Sequence, residues 1–307
     1  MEKMNPALVN PEAWEAQRQK KAAELLHDPE AMKIIQAHGI PAEAVARQPQ
    51  RIQDWLQEFS LCRNCAGLAD CRQKRRGWRS SLRYDGVLSD TMETCRYADE
   101  KQKQEAHLEQ YLISDLGAAM ATASFEDIKV TDSDTRSYVN ALMKTMTACS
   151  SMKGLYIYGN LGTGKTYLSA CAANQLARQG KQIAFVHCPA FAERLRTLQK
   201  TNEHRTEISR MTYADFLVLD DIGAEEVNER LRAVILAVLD ARMQNGRCTW
   251  FTSNYDFRTL QQHFTLPYDG RNELDAMRIM ERIRALAEPL EIIGEDRRLV
   301  NRKGEKE

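Results

Sequence analysis

Apolar positions change their period near the middle of this chain, and the change separates two kinds of structure. Over the first 60 residues the spacing is helical: Ile52, Trp55, Leu56 and Phe59 recur three and four apart, which predicts an amphipathic helix. Asn10-Pro11 and Asp28-Pro29 each read as a cap followed by proline at the first helical position, and Gly39 closes the second helix. From Leu61 to Cys95 the periodicity dissolves into cysteines, basic residues and turn signals, a segment that needs a staple. A charged helical connector is expected from about Tyr97 to Ile113, and the small residues Gly117 to Ala123 have little to bury. From Phe125 onward short apolar runs alternate with helical ones. Strands are predicted at Leu155 to Tyr158, Ile183 to His187, Phe216 to Leu219 and Thr249 to Thr252, with a last short one at Leu290 to Ile293. Helices are predicted at Lys165 to Arg178, Ala190 to Leu198, Arg230 to Met243 and Glu273 to Ala287. Such alternation predicts an α/β domain, a parallel sheet flanked by helices, over 125–307. A mainly helical domain over 1–100 and a connector over 101–124 precede it.

One turn in the second half carries specific chemistry. Gly159-Asn160-Leu161-Gly162-Thr163-Gly164-Lys165-Thr166 fits G-x-x-x-x-G-K-[ST], follows a predicted strand and opens a predicted helix. Its four fixed positions would coincide by chance in a chain of this composition on the order of one time in a hundred, so a plain glycine turn is rejected. Glycines let backbone N–H groups curl around phosphates, and the helix N-terminus adds partial positive charge. Lys165 is expected to span the β- and γ-phosphates of ATP and Thr166 to ligate magnesium.

A second element supports the first. Phe216-Leu217-Val218-Leu219-Asp220-Asp221 is an apolar strand ending in two carboxylates, which a parallel sheet delivers to its ligand-binding edge. Asp220 is expected to hold magnesium and Asp221 to orient and deprotonate the attacking water. Thr252-Ser253-Asn254 ends the next strand, with Asn254 beside the γ-phosphate. One strand–helix unit stands between the two motifs, which suits water-attack ATPases better than nucleotide kinases. Later, Arg278 and Arg282 lie four apart on one helix face. They are either a solvated face or, in an ATPase that assembles side by side, a finger reaching a neighbour's γ-phosphate. Arg297 and Arg298 are candidates for nucleotide contact within the same chain.

Charge and cysteines narrow the picture. Lysine plus arginine equals aspartate plus glutamate at 43 each, so a tight, non-specific duplex-DNA binder is not expected. No signal peptide and no apolar run of about 18 residues is read, and the expected compartment is the cytoplasm. Four of the eight cysteines, Cys62, Cys65, Cys71 and Cys95, fall in one short stretch. Cys62-x-x-Cys65 reads as a zinc knuckle that Cys71 and Cys95 complete as a closed, structural Cys₄ site, against the alternative of reduced free thiols. Arg72, Lys74, Arg75, Arg76, Arg79 and Arg83, with Trp78 and Tyr84 among them, either touch single-stranded DNA, dock an acidic protein surface or form a solvated rim.

Taken together, Tyr156-Ile157-Tyr158-Gly159 running into Gly164-Lys165-Thr166-Tyr167-Leu168, Leu219 to Glu225, Phe251 to Asn254 and Arg278 to Ile283 resemble the bacterial replicative-helicase loaders of the DnaC/DnaI family, DnaI primosomal type. The resemblance covers nearly the whole chain. It implies an AAA+ P-loop ATPase domain, with Gly159 through Tyr167 on the nucleotide, behind an N-terminal zinc domain that grips the helicase. It also implies that Lys165, Thr166, Asp220, Asp221 and Asn254 act as derived above, and that Arg282 is the preferred finger. The implied cofactors are ATP, Mg²⁺ and Zn²⁺. The implied partners are the hexameric replicative helicase, single-stranded DNA, other primosomal proteins and further copies of the chain. The implied role is to place that helicase on single-stranded DNA during initiation or restart. The alternative is a transposition-helper ATPase of the same superfamily, against which the cysteine cluster argues. Two departures stand out. Glu226-Val227-Asn228-Glu229-Arg230 replaces a tryptophan-containing stretch, and Asp221 stands where many AAA+ enzymes have glutamate, a shorter arm that argues against fast hydrolysis.

Overall fold

The computed structural model of the protein describes residues 11–128, 130, 136–197, 203–265 and 271–294. Contacts divide the chain into two compact units, Met1–Lys103 and Gln104–Glu307. Among the described residues no helix is long and apolar enough to cross a membrane.

The first unit opens with four helices, α1 (Pro11–His27), α2 (Pro29–Ala37), α3 (Ala42–Arg47) and α4 (Pro49–Ser60). Asp28 caps α2 by accepting from the backbone N–H groups of Glu30 at 2.9 Å and Ala31 at 3.3 Å, donors the helix itself leaves unpaired. The Asn10 cap lies outside the described residues. Ile35, Ala44, Val45, Ile52 and Trp55 form this unit's core. Against it packs a hairpin that the sequence pattern concealed, β1 (Trp78–Tyr84) and β2 (Leu88–Thr94), antiparallel with Tyr84 opposite Leu88. Of its residues only Leu82 and Leu88 are buried in that core, with Tyr84 packed against it, too thin a signal at period two. The hairpin is also tied to α4 by hydrogen bonds: the Trp55 indole donates to the Ser80 carbonyl at 3.1 Å and Arg51 to that of Leu88 at 3.0 Å. Helix α5 (Arg96–Glu105) follows.

The second unit is the expected parallel α/β sheet. Its strands are β3 (Tyr111–Ser114), β4 (Leu155–Gly159), β5 (Ile183–His187), β6 (Phe216–Asp220), β7 (Cys248–Ser253) and β8 (Glu288–Ile292), in the order β3-β5-β6-β7-β4-β8, every neighbouring pair parallel. Leu155, Ile157, Phe185, Val218 and Trp250 enter one core cluster, while Tyr156, Val186, Leu219 and Phe251 enter the other. Alternate residues therefore serve opposite faces, and because both faces are covered the strands read as continuous apolar runs. Helices α6 (Arg136–Ser150) and α7 (Lys165–Arg178) supply the first cluster. The second draws on α8 (Cys188–Thr197), α9 (Glu203–Tyr213), α10 (Glu229–Gln244), α11 (Phe257–Phe264) and α12 (Arg271–Leu286).

The connector divides differently from the sequence expectation. The chain forms β3 at Tyr111–Ser114 on the edge of the sheet, where a four-residue strand buries only Ile113. The small-residue run that follows is held to α7. Buried Asn174 donates to the carbonyls of Met120 and Ala123, both at 2.9 Å, and accepts from the Tyr111 hydroxyl at 2.6 Å.

Candidate functional site

Strand β4 ends at Gly159, which must be glycine for a local reason: a Cβ there would stand 2.2 Å from the Ile292 carbonyl oxygen on neighbouring β8. The loop then turns through Gly164, whose φ of 92° is left-handed and which caps α7 without any side-chain hydrogen bond. The first N–H groups of α7 are thereby left without a side-chain cap, as an anion site at a helix N-terminus requires. Thr163 braces the loop by donating to the Asn160 carbonyl at 3.0 Å. Lys165 is buried, and its ammonium donates to the carbonyls of Gly159 at 2.9 Å and Asn160 at 2.7 Å. Leu161 projects outward, 67 % exposed, while Tyr167 packs its ring against the core cluster beside α7.

The acidic motif arrives beside this loop. Thr166 and Thr252 both hydrogen-bond Asp220, Thr252 through its hydroxyl at 2.7 Å, and burial pushes the Asp220 carboxyl above the usual carboxylate range. Asp221 adopts a left-handed backbone, φ 57°, unusual for a residue with a side chain. Its N–H donates to the Thr252 hydroxyl at 2.8 Å and its carboxylate accepts from the Asn254 amide at 3.1 Å. Lys165 and Thr166 thus stand on the loop, Asp220, Asp221 and Asn254 on the adjacent strand ends, and the Thr166–Asp220 contact joins the two groups. Sequence reasoning gave a role to Asn254 alone in its tripeptide. The signal it passed over was the Thr252 hydroxyl two positions earlier, directly after the apolar pair Trp250-Phe251.

Below the acidic turn lies a pair that the sequence did not reveal. Glu225 is buried and accepts from the Gly223 N–H at 2.8 Å, while its other oxygen faces His263 of α11 at 4.0 Å. The separation is that of an ion pair, yet burial drives both groups toward neutrality, raising Glu225 from 4.5 to about 6 and lowering His263. Glu225 is therefore mostly protonated below about pH 6, and burial keeps His263 neutral further down in pH than usual. With the folded pKa of Glu225 above its unfolded value, stability falls as pH rises from about 4.5 to about 6 and stays lower beyond, by roughly 2 kcal/mol. Glu225→Gln keeps an acceptor for Gly223 and removes the charge. It is expected to be more stable than the parent by about 1–2 kcal/mol at pH 7.5, the gain vanishing near pH 4.5. Urea midpoints of both proteins at the two pH values check this, and a difference independent of pH would refute it.

The arginines and cysteines stand apart from this cluster. Arg282 on α12 is partnered within its own chain, by Asp240 of α10 and by Glu281 at 3.5 Å, and Arg278 lies 3.5 Å from Asp275. Arg297 and Arg298 lie outside the described residues. In the first unit Cys62, Cys65, Cys71 and Cys95 all line one cavity of about 380 Å³. Among the described residues, however, no three or more His, Cys, Asp or Glu side chains are gathered closely enough to hold a metal ion, so the expected Cys₄ cage is not closed. The Gly77 N–H donates to Cys71 Sγ at 3.5 Å and Gln73 to Cys62 Sγ at 3.2 Å, and backbone N–H donors hold the Cys71 thiol below its usual range. The basic stretch is largely used internally. Lys74 reaches Glu58 at 3.1 Å, Arg75 lies over Trp78 at 4.0 Å, Arg76 donates to the Leu68 carbonyl, and Arg79 and Arg83 share Glu93.

Known proteins resemble the chain over different shares of its length. The replicative helicase loader DnaI of Bacillus subtilis (strain 168) is 29% identical over 269 residues, 84% of this chain and 85% of that protein. A crystal structure of DnaI is 34% identical, with a TM-score of 0.53, over 64% of this chain and 99% of its own. The insertion sequence IS1162 putative ATP-binding protein of Pseudomonas fluorescens is 29% identical over 113 residues, 37% of this chain and 48% of that protein. The family described as IstB-like ATP binding protein matches residues 72–304. With a phosphate loop, twin carboxylates and a parallel sheet in place inside that match, the chain belongs to the family of IstB-like ATP binding proteins.

Proposed function

We propose that this protein is an ATP-hydrolysing loader that binds the replicative DNA helicase and places it on single-stranded DNA. The observation that carries the reading is the reach of the likeness to the loader DnaI. At 84% of the chain it is longer than the second unit can hold and extends into the first, whereas the likeness to the insertion-sequence protein covers 37%. In the second unit the bare N–H groups of the loop bind phosphate oxygens, and Lys165 exchanges its two carbonyl partners for the β- and γ-phosphates. Thr166 and Asp220, already in contact, would hold magnesium, which when bound neutralises phosphate charge. Asp221 takes the proton of the attacking water, with Asn254 fixing that carboxylate. Arg282, released from Asp240, serves a neighbouring copy.

The cysteines fit zinc by donor chemistry: four thiols line one cavity, two of them accept N–H bonds, and backbone donors hold the Cys71 thiol low. Cys62, Cys65, Cys71 and Cys95 would hold it, and its binding would fold the surrounding loops. Elemental analysis of the purified chain is expected to find about one zinc per chain, lost in Cys62→Ser/Cys65→Ser with ATP binding retained; a zinc-free parent overturns the assignment.

The function is tested by mixing the protein with the replicative helicase of its own host and measuring complex mass with and without ATP, then helicase transfer to single-stranded DNA. A complex that delivers helicase supports the loader. The family match keeps a transposition-helper ATPase as the second reading, and ATP-dependent binding to duplex DNA with no helicase complex would establish that instead.

A further inference from the structure

The Thr252 hydroxyl stands between the two carboxylate residues and is committed in both directions. It is buried, donates to Asp220 Oδ1 at 2.7 Å and accepts from the Asp221 N–H at 2.8 Å. A hydroxyl has one proton, and the Asp221 N–H can only donate. With Asp220 ionised, as a metal ligand must be, the carboxylate can only accept, so the Thr252 proton points to Asp220. Around it the rest of the turn is held separately. The Ile222 N–H donates to the Thr252 carbonyl at 2.9 Å, and the Ser253 hydroxyl donates to the Ile222 carbonyl at 2.6 Å. Losing the hydroxyl alone leaves those two anchors in place.

We propose that Thr252 is a positioning residue for the metal and water sites, its hydroxyl setting the Asp220 carboxylate against Thr166 and holding Asp221 in its left-handed turn. The first half follows from the donated bond, which selects one carboxylate oxygen and so orients the other within the carboxylate plane. The second follows from the accepted one. A left-handed backbone at a residue with a side chain is strained and persists only where its surroundings impose it. The Thr252 oxygen supplies that constraint on the N–H, and Asn254 supplies it on the side chain. One hydroxyl thereby couples the geometry of the metal ligand to that of the water-activating group.

The proposal rests on the reading of the site as magnesium-dependent, and its test separates the two. Nucleotide binding is measured with and without magnesium, and ATP turnover is measured alongside, for the parent, Thr252→Val and Thr252→Ser. Thr252→Val, nearly the same shape without the hydroxyl, is expected to need about 10- to 100-fold more magnesium for half-maximal tightening of nucleotide binding, the range seen when a partner of a metal ligand is removed. Its turnover at saturating magnesium falls by a similar factor, while magnesium-free nucleotide affinity stays within about threefold of the parent. Thr252→Ser, which keeps the hydroxyl, is expected to restore both within about threefold. A Thr252→Val protein with parental magnesium requirement and turnover overturns the proposal. So does a Thr252→Ser protein as impaired as the valine variant, a result that holds even where the valine variant fails to fold. If the parent binds nucleotide equally with and without magnesium, the reading of the site fails instead.

Discussion

Lys165→Ala is expected to weaken nucleotide binding at least about 100-fold and to stop helicase loading, without lowering the stability of the free protein. The ammonium is the one fixed cation on the phosphate loop, buried and within 3 Å of two loop carbonyls. Its attraction to a phosphate charge about 4 Å away is worth roughly 4 kcal/mol at the effective dielectric of such a site, and about 2.7 kcal/mol already gives a factor of 100. Stability moves differently. Lys165 begins α7, where a cation opposes the positive end of the helix dipole and alanine is the better helix former. Those gains offset the two lost hydrogen bonds to the loop. Titration calorimetry with ATP and a thermal melt of the apoprotein measure the two effects. Parental affinity would remove the phosphate-loop assignment, and a collapsed melting temperature would mean that the lysine is chiefly structural.

Arg242→Met is expected to be the most destabilising single change in the second unit, about 3–5 kcal/mol. This arginine is fully buried on α10, and burial lowers its pKa only to about 10, so it remains charged. It donates to the Thr249 hydroxyl at 2.8 Å, to the carbonyls of Met211 and Ala214, both at 2.8 Å, to that of Thr212 at 3.3 Å, and to that of Cys248. Those acceptors are the C-terminal end of α9, the segment entering β6 and the start of β7. No carboxylate is among these partners; four carbonyl dipoles and one hydroxyl solvate the charge. Methionine fills the volume and relieves the desolvation of the guanidinium, but several buried acceptors lose their only side-chain donor at about 1–3 kcal/mol each. With a denaturant slope of about 2–3 kcal/mol per molar urea for a unit of this size, the midpoint should fall by more than about 1 M. A fall of less than about 0.3 M would show that water replaces the guanidinium without loss.

Where signals are local, the chain is readable. Helix α7 spans the predicted Lys165 to Arg178, and β5 runs over the predicted Ile183 to His187. Lys165, Thr166, Asp220 and Asp221 were identifiable because each belongs to a motif of at most eight contiguous residues. The β1–β2 hairpin and the edge strand β3 were not, because they bury two and one apolar side chains in all and their pairing comes from other segments.

What the sequence determined by itself is the chemistry on offer: a glycine turn able to wrap phosphates, a lysine to bridge them, and acidic residues at the end of a strand buried on both faces. What only the tertiary structure decided is which groups hold those residues in place. Thr252 meets Asp220 because β6 pairs with β7, His263 meets Glu225 because α11 packs under the acidic turn, and the four thiols share a cavity because the hairpin folds back on α4. The first two contacts join residues more than 30 positions apart, and Cys95 joins the other three thiols from more than 20 positions away. A periodic pattern fixes the face a residue presents, but only the packed sheet fixes its neighbour.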